Sequence, residues 1–278
     1  MTDVSIGLAL GGGSARGLAH ITMLEAFDEL GVKPSIIAGC SMGSLIGAAY
    51  ASGFSAREIA EHACDVLGNK IDAARHIFSN PNKSVFNLVD LKGLSALRID
   101  GEELAALVLP DGYAQRVEDT EIPLKIVATD FHAQKETVFT EGPLLQAVAA
   151  SIAIPGIIAA PEIDGRLYVD GGMTNPVPFD LITNDAEFIV AVDVTGRPPS
   201  GKRKHLSNFE LASGAMLTMF RQIAMLKREH APPHVYIEPA INQFTAADFF
   251  KVREILAVAK PAKEELKRAL EIRLNASA

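Results

Sequence analysis

The sequence predicts an α/β protein built on a mostly parallel sheet with helices on its faces. Three observations carry that reading. Two strand, glycine-turn, helix units follow one another in the first fifty-odd residues, β-rich runs return after Leu124, and the composition is that of an ordinary folded domain, 48% hydrophobic and 22% charged. Successive β-turn-α units place their strands side by side and parallel, because the helix must cross a sheet face between them.

In the first unit Val4 to Leu10 is a short apolar run, Gly11-Gly12-Gly13 breaks it, and Ala15 to Leu30 has helical spacing. Leu18, Ile21, Leu24, Ala26, Phe27 and Leu30 recur at three- and four-residue steps, and Gly31 suits a left-handed cap. The second unit has a strand at Ser35 to Ala38, a turn at Gly39 to Gly43 and a helix from Ser44 to Ser52. From about residue 55 to 119 the pattern becomes helical pieces broken at Asn80-Pro81-Asn82 and Leu109-Pro110-Asp111-Gly112, a helical insertion that either covers a cleft or packs at one end of the sheet. Asp100 is placed to cap a helix there, with Glu102 and Glu103 in its first turn. Strands are expected at Leu124 to Thr129, Thr137 to Phe139, Arg166 to Val169 and Phe188 to Val194. Beyond them Phe209 to Arg228 is an amphipathic helix with Met216, Met219, Phe220, Ile223 and Leu226 at core spacing, and Ala246 to Leu274 reads as two helices broken at Pro261.

At 278 residues the chain can form one large domain with a full core. Its net charge of -8 excludes a nucleic-acid footprint, which needs clustered Lys and Arg. The one basic cluster, Lys202-Arg203-Lys204-His205, follows a Pro/Gly turn and reads as a solvated loop, with a membrane-surface or partner contact there as the alternative. Only Cys40 and Cys64 are present, in apolar contexts that suit reduced thiols and a cytoplasmic location. Asp3 stands where a signal peptide needs positive charge, and no apolar run approaches the roughly 18 residues of a membrane span, so contact with a membrane is expected to be peripheral. Nothing in the sequence specifies an oligomeric state.

Gly39-Cys40-Ser41-Met42-Gly43 matches G-x-S-x-G between a strand and a helix, the setting of a nucleophile elbow. Gly39 and Gly43 give the sharp turn its room, and Ser41 sits at the positive end of the following helix, where developing negative charge is favoured. By itself the pattern also fits a capping serine in a small-residue turn. Cys40 is set aside as nucleophile because neighbouring residues at a strand end point to opposite sides. Histidines stand at 20, 62, 76, 132, 205, 230 and 234, and any of the last three could complete a Ser, Asp, His order. Gly11 to Gly17 fails as a P-loop, having no Lys-Ser/Thr pair after it. In a parallel sheet it would emerge beside the elbow, with the Gly12 and Gly13 amides facing an attacked carbonyl as an oxyanion hole. Tyr168-Val169-Asp170-Gly171-Gly172 ends a strand on a carboxylate; on the same rim as Ser41, Asp170 could serve as general base without an imidazole. No His, Cys, Asp and Glu cluster has metal spacing, and no metal or cofactor is expected.

These elements, in this order, resemble the patatin-like phospholipase family, whose signature joins a glycine-rich loop with a basic residue, a G-x-S-x-G elbow and a D-G-G/A acid motif. Ala19-His20-Ile21, Gly31-Val32, Ser151 to Gly156 and Asn175-Pro176-Val177-Pro178 look like the same family. Ser14 departs from it, at a position that is glycine in many members. The resemblance spans Val4 to Thr195 and implies a catalytic domain over 4–195; it leaves the C-terminal helices unassigned, and residues 205–278 are read as a helical extension packed on the same domain. It further implies a three-layer α/β/α fold and hydrolysis of lipid-like acyl esters without metal. Ser41 is then the nucleophile, Asp170 the base, Gly12 and Gly13 the oxyanion donors and Arg16 a loop stabiliser, with Gly39, Gly43, Gly171 and Gly172 in support. Acyl transfer, and a non-catalytic lipid-binding or regulatory module, are the alternatives.

Overall fold

Ile6–Leu10 form β1, buried along its whole length, because it lies in the middle of a sheet covered on both sides. The computed structural model describes residues 4–68, 99–197 and 208–276. After β1 come α1 (Ala19–Leu30), β2 (Ile36–Cys40), α2 (Met42–Ala51), α3 (Ala56–Leu67), α4 (Gly101–Val108), β3 (Leu124–Asp130), β4 (Lys135–Phe139) and α5 (Leu144–Ser151). Then follow β5 (Glu162–Ile163), β6 (Arg166–Asp170), β7 (Phe188–Val192), α6 (Asn208–His230), β8 (Val235–Ile237) and α7 (Val252–Asn275).

β3, β2, β1, β7 and β8 are parallel neighbours in that order, and β4, β5 and β6 pair antiparallel at the β3 end. Side chains alternate between two cores, as the period of two requires. Ile6, Leu8, Leu10, Ile37, Val190 and Val192 face the larger one with α1, α2, α3 and α7. Ala9, Ile36, Ala38, Ile189 and Ala191 face the smaller one, closed by a 3-10 turn at Phe179–Ile182 and by Ala224 of α6. The small residues on that second face let its cover lie close. These are the expected three layers.

The antiparallel strands decide where the site forms. β4 occupies one edge of β3 over residues 126–130. β2 occupies the other edge up to Val127, opposite Cys40, and β6 takes that same edge over from Ala128 onward, opposite Asp170. The carboxyl ends of β2 and β6 therefore meet head to head on consecutive rows. Asp170 thus ends its strand beside the elbow, and β6 brings it there running antiparallel to β3.

Several expectations change in detail. In the insertion, Asp100 caps α4 by accepting the Glu102 and Glu103 amides, while residues 69–98, including Asn80-Pro81-Asn82, lie outside the described residues, as does the Lys202 to His205 cluster. The C-terminal part is not purely helical, since β8 extends the sheet beside β7. Pro261 does not break the last helix; it sits on the solvent face of α7, where the carbonyl it leaves without a donor can be hydrated, while Ala259, Ala262, Leu266 and Leu270 stay buried. The stripe on α6 was expected to be core, yet only Phe220 of it is fully buried, and Met219 and Leu226 are 56% and 64% exposed. β5, β8 and α5 were not foreseen. No helix among the described residues is long and apolar enough to cross a membrane.

Candidate active site

β2 delivers Ser41 into an unusual backbone state. Its φ of 52° and ψ of -124° lie where L residues are strained, and α2 begins at the next residue. The turn closes only because Gly39 and Gly43 lack side chains: a Cβ on Gly39 would strike the Ser44 backbone, and one on Gly43 the Leu10 carbonyl. With β2 finished, the Ser41 amide has no sheet partner; it donates to the Ser151 hydroxyl at 2.8 Å, from the last residue of α5. The Ser41 hydroxyl donates to Asp170 Oδ2 at 2.7 Å, across 129 residues of sequence.

Asp170 is buried, and its second oxygen accepts the Gly172 amide at 2.7 Å. Burial pushes its pKa up to about 6, against the pull of the Ser41 and Gly172 hydrogen bonds. Gly171 packs against the Val127 carbonyl and Gly172 under the Phe220 ring of α6, neither with room for a Cβ. No histidine is bonded to Ser41 or Asp170 among the described residues. His234 accepts the Ile189 amide at the sheet edge, His230 is exposed at the end of α6, and His205 lies outside the described residues. Cys40 is wholly buried and its thiol is raised well above the ordinary value by desolvation, which makes it a poor nucleophile.

The glycine loop lies beside the elbow as expected, close enough that a Cβ on Gly12 would sit 3.2 Å from Ser41 Cβ. The two amides assigned to an oxyanion hole differ, however. Gly12 N-H is already donated to the Pro176 carbonyl at 2.8 Å, whereas Gly13 N-H finds no acceptor among the described residues. At the start of α2, Met42 N-H is also without one. Gly13 is hemmed in by the Val194 carbonyl. Ser14, with φ 52°, occupies the left-handed region that its glycine-like position demands and is tied down by Oγ donating to Ala246 O at 2.8 Å.

Arg16 is buried behind this loop against Gly196, its pKa lowered by desolvation with Asp193 opposing. Its Nε and Nη2 have no hydrogen-bond partner among the described residues.

Three further residues contribute without belonging to any of the three motifs. Besides Ser151 and Pro176 there is His20, fully buried in α1, whose Nε2 lies 2.7 Å from Gly11 O. Burial drops its pKa to about 4, so it is neutral, and the contact requires Nε2 to carry the proton. The one available sign was that Ser151, His20 and Pro176 stand in the very segments that carried the family resemblance.

A three-layer α/β fold that holds a strained serine against a buried carboxylate at a strand-to-helix turn defines a serine-elbow protein. Residues 8–182 match the family described as Patatin-like phospholipase. An uncharacterized NTE family protein of Mycobacterium tuberculosis is 36% identical over 193 residues, 69% of this chain and 49% of that protein. Human patatin-like phospholipase domain-containing protein 6 is 33% identical over 292 residues, 93% of this chain and 20% of that protein. VipD from Legionella pneumophila aligns with TM-score 0.51 at 12% identity, covering 96% of this chain and 67% of that one, a likeness of fold alone. The chain belongs to the patatin-like phospholipase family. It spans about half the length of the mycobacterial relative and about a fifth of the human one.

Proposed function

We propose that the protein hydrolyses carboxylic esters of lipids, as a phospholipase A, lysophospholipase or esterase, through an acyl-enzyme on Ser41. The observation that carries this reading is the direct 2.7 Å hydrogen bond from Ser41 Oγ to Asp170 Oδ2. Family membership supports a lipid substrate, and a Drosophila relative, 33% identical over 198 residues, is named a neuropathy target esterase.

In the proposed cycle Asp170 takes the Ser41 proton as Oγ attacks the acyl carbon. The carbonyl oxygen becomes an oxyanion, met by the amides of Gly13 and Met42 and by the positive end of α2. Gly12 then serves by fixing the loop, not by donating, because its amide is held by Pro176. Collapse breaks the ester C-O bond, and the leaving alkoxide takes the proton from the Asp170 carboxylic acid. Water, deprotonated by Asp170, attacks the acyl-serine; the second tetrahedral intermediate releases the fatty acid and returns the proton to Ser41. Arg16 acts as a fixed buttress of the loop. The free thiols Cys40 and Cys64 suit action in a reducing cytoplasm, with peripheral contact to the lipid.

The test is labelling and turnover together. The wild type should hydrolyse p-nitrophenyl butyrate and react with a fluorophosphonate at Ser41, and Ser41→Ala should lose both. Full activity in Ser41→Ala would overturn the assignment. Faster transfer to an added alcohol or thiol than to water would move it to acyl transfer, and a folded wild type inert to both reagents would favour the binding module.

A further inference from the structure

The short loop after Asp170 touches both halves of the site. Its Gly172 amide holds the carboxylate, and four residues later the Pro176 carbonyl holds the Gly12 amide. Between them stands Asn175, fully buried, with its own N-H donated to Gly171 O at 2.8 Å. Its side-chain Nδ2 donates to Asp180 Oδ1 at 2.8 Å, and Asp180 Oδ2 accepts Lys227 Nζ of α6 at 2.7 Å. The Asn175 Oδ1 finds no donor among the described residues. A buried amide that satisfies only one end is costly as packing, so its value lies in the bond it makes. The following proline restricts Asn175 to an extended backbone and has its own φ locked by the ring, so only the ψ of Pro176 separates the anchored Asn175 from the direction of the Pro176 carbonyl.

We infer that Asn175 is a positioning residue: through Asp180 and Lys227 it fixes the Pro176 carbonyl, and thereby the glycine loop, in register with Asp170. α6 thus clamps the loop twice, with Phe220 on Gly172 and with Lys227 through Asp180 on Asn175. Among the described residues Asn175 makes no hydrogen bond to Ser41 or Asp170, and it acts through the peptide that Gly12 faces. The consequence for turnover rests on the hydrolase reading; the consequence for the Gly12 amide does not.

Asn175→Ala in the full chain tests both. Turnover of p-nitrophenyl butyrate should fall on the order of 10- to 100-fold in kcat with KM within about threefold, the signature of misplaced donors with binding intact. Independently, amide hydrogen exchange should accelerate at Gly12 and its neighbours but not along β7 or α7. Asp180→Ala should reproduce both effects, and the double variant should add little to either single one, since the two groups act in series. Lys125→Met, which unties the same turn at Leu181 O and Asp185 without touching Asn175, is the control for simple loosening and should leave Gly12 exchange unchanged. Unchanged exchange at Gly12 in Asn175→Ala, or acceleration spread over the whole sheet, overturns the inference. If Asn175→Ala fails to fold, Asp180→Ala decides alone. If the wild type proves to be no esterase, the exchange result still decides the coupling, and the hydrolase reading falls separately.

Discussion

Ser41 donates its backbone N-H to the hydroxyl of Ser151 at 2.8 Å, and both residues are buried. The left-handed φ of Ser41 turns that amide away from any strand, so α5 must supply the acceptor. Ser151→Ala leaves a buried donor unpaired and should cost about 1–3 kcal/mol of stability. It should also lower kcat by roughly tenfold as the elbow relaxes. Ser151→Thr, which keeps the hydroxyl, should lose less on both counts. Urea unfolding and ester turnover measured on the three proteins check this, and equal stability of Ser151→Ala and wild type would refute it.

Much of this site was legible because its parts are local. A glycine turn after a strand, a serine between glycines before a helix, and an acid before two glycines each announce themselves within five to seven residues. What was not legible is non-local. Nothing in Arg166 to Asp170 says that β6 runs antiparallel and continues the edge of β3 beyond β2, because strand direction is set by which neighbour the strand finds. The commitment of the Gly12 amide to Pro176 and of the Ser41 amide to Ser151 depends on that same assembly. Periodicity also misjudged α6, since helical spacing of Met and Leu is the same whether the stripe meets a core or lies open. Ser14 shows the converse: a departure from glycine that looked risky is accommodated by one hydrogen bond to Ala246.

With its pKa near 6, Asp170 must lose its proton to serve as base. The plot of kcat/KM for p-nitrophenyl butyrate against pH should therefore be flat above about pH 7. Below 6 it should fall about tenfold per pH unit. Asp170→Asn should lose most activity at every pH. A profile that keeps its full rate down to pH 4.5 would show that Asp170 is not the titrating base.

The same carboxylate should weaken the fold that holds it. Its pKa is raised from 3.8 to about 6, so its contribution to stability is fully present below 3.8 and is lost as pH rises through 6, on the order of 3 kcal/mol. His20 has the opposite sign: lowered from 6.5 to about 4, it contributes stability above 6.5 that is lost as pH falls through 4. Between pH 4 and 6 the two oppose one another. Asp170→Asn keeps an acceptor for Gly172 and removes the first dependence, which unmasks the second. The variant should be about as stable as wild type near pH 4 and more stable by roughly 1–3 kcal/mol at pH 8. Urea midpoints from pH 4 to 8 check the difference, and a gap that does not change with pH would contradict it.

Two glycines of the site differ in what confines them, and that difference is measurable. A Cβ on Gly43 would collide with the Leu10 carbonyl, so strand and helix backbones must part to admit it. A Cβ on Gly172 would collide with the Phe220 ring, a side chain that a smaller residue can replace. Gly43→Ala should therefore cost about 3 kcal/mol or more and be beyond repair by any single partner substitution. Gly172→Ala should cost about 1–3 kcal/mol alone and considerably less in a Phe220→Leu background. The coupling, read from a double-mutant cycle of unfolding free energies, should exceed about 1 kcal/mol in the favourable direction. Because the Gly172 amide holds Asp170 Oδ1, the same background should return esterase activity lost in Gly172→Ala. Strict additivity of the two substitutions would show that α6 does not press on the acid loop in solution.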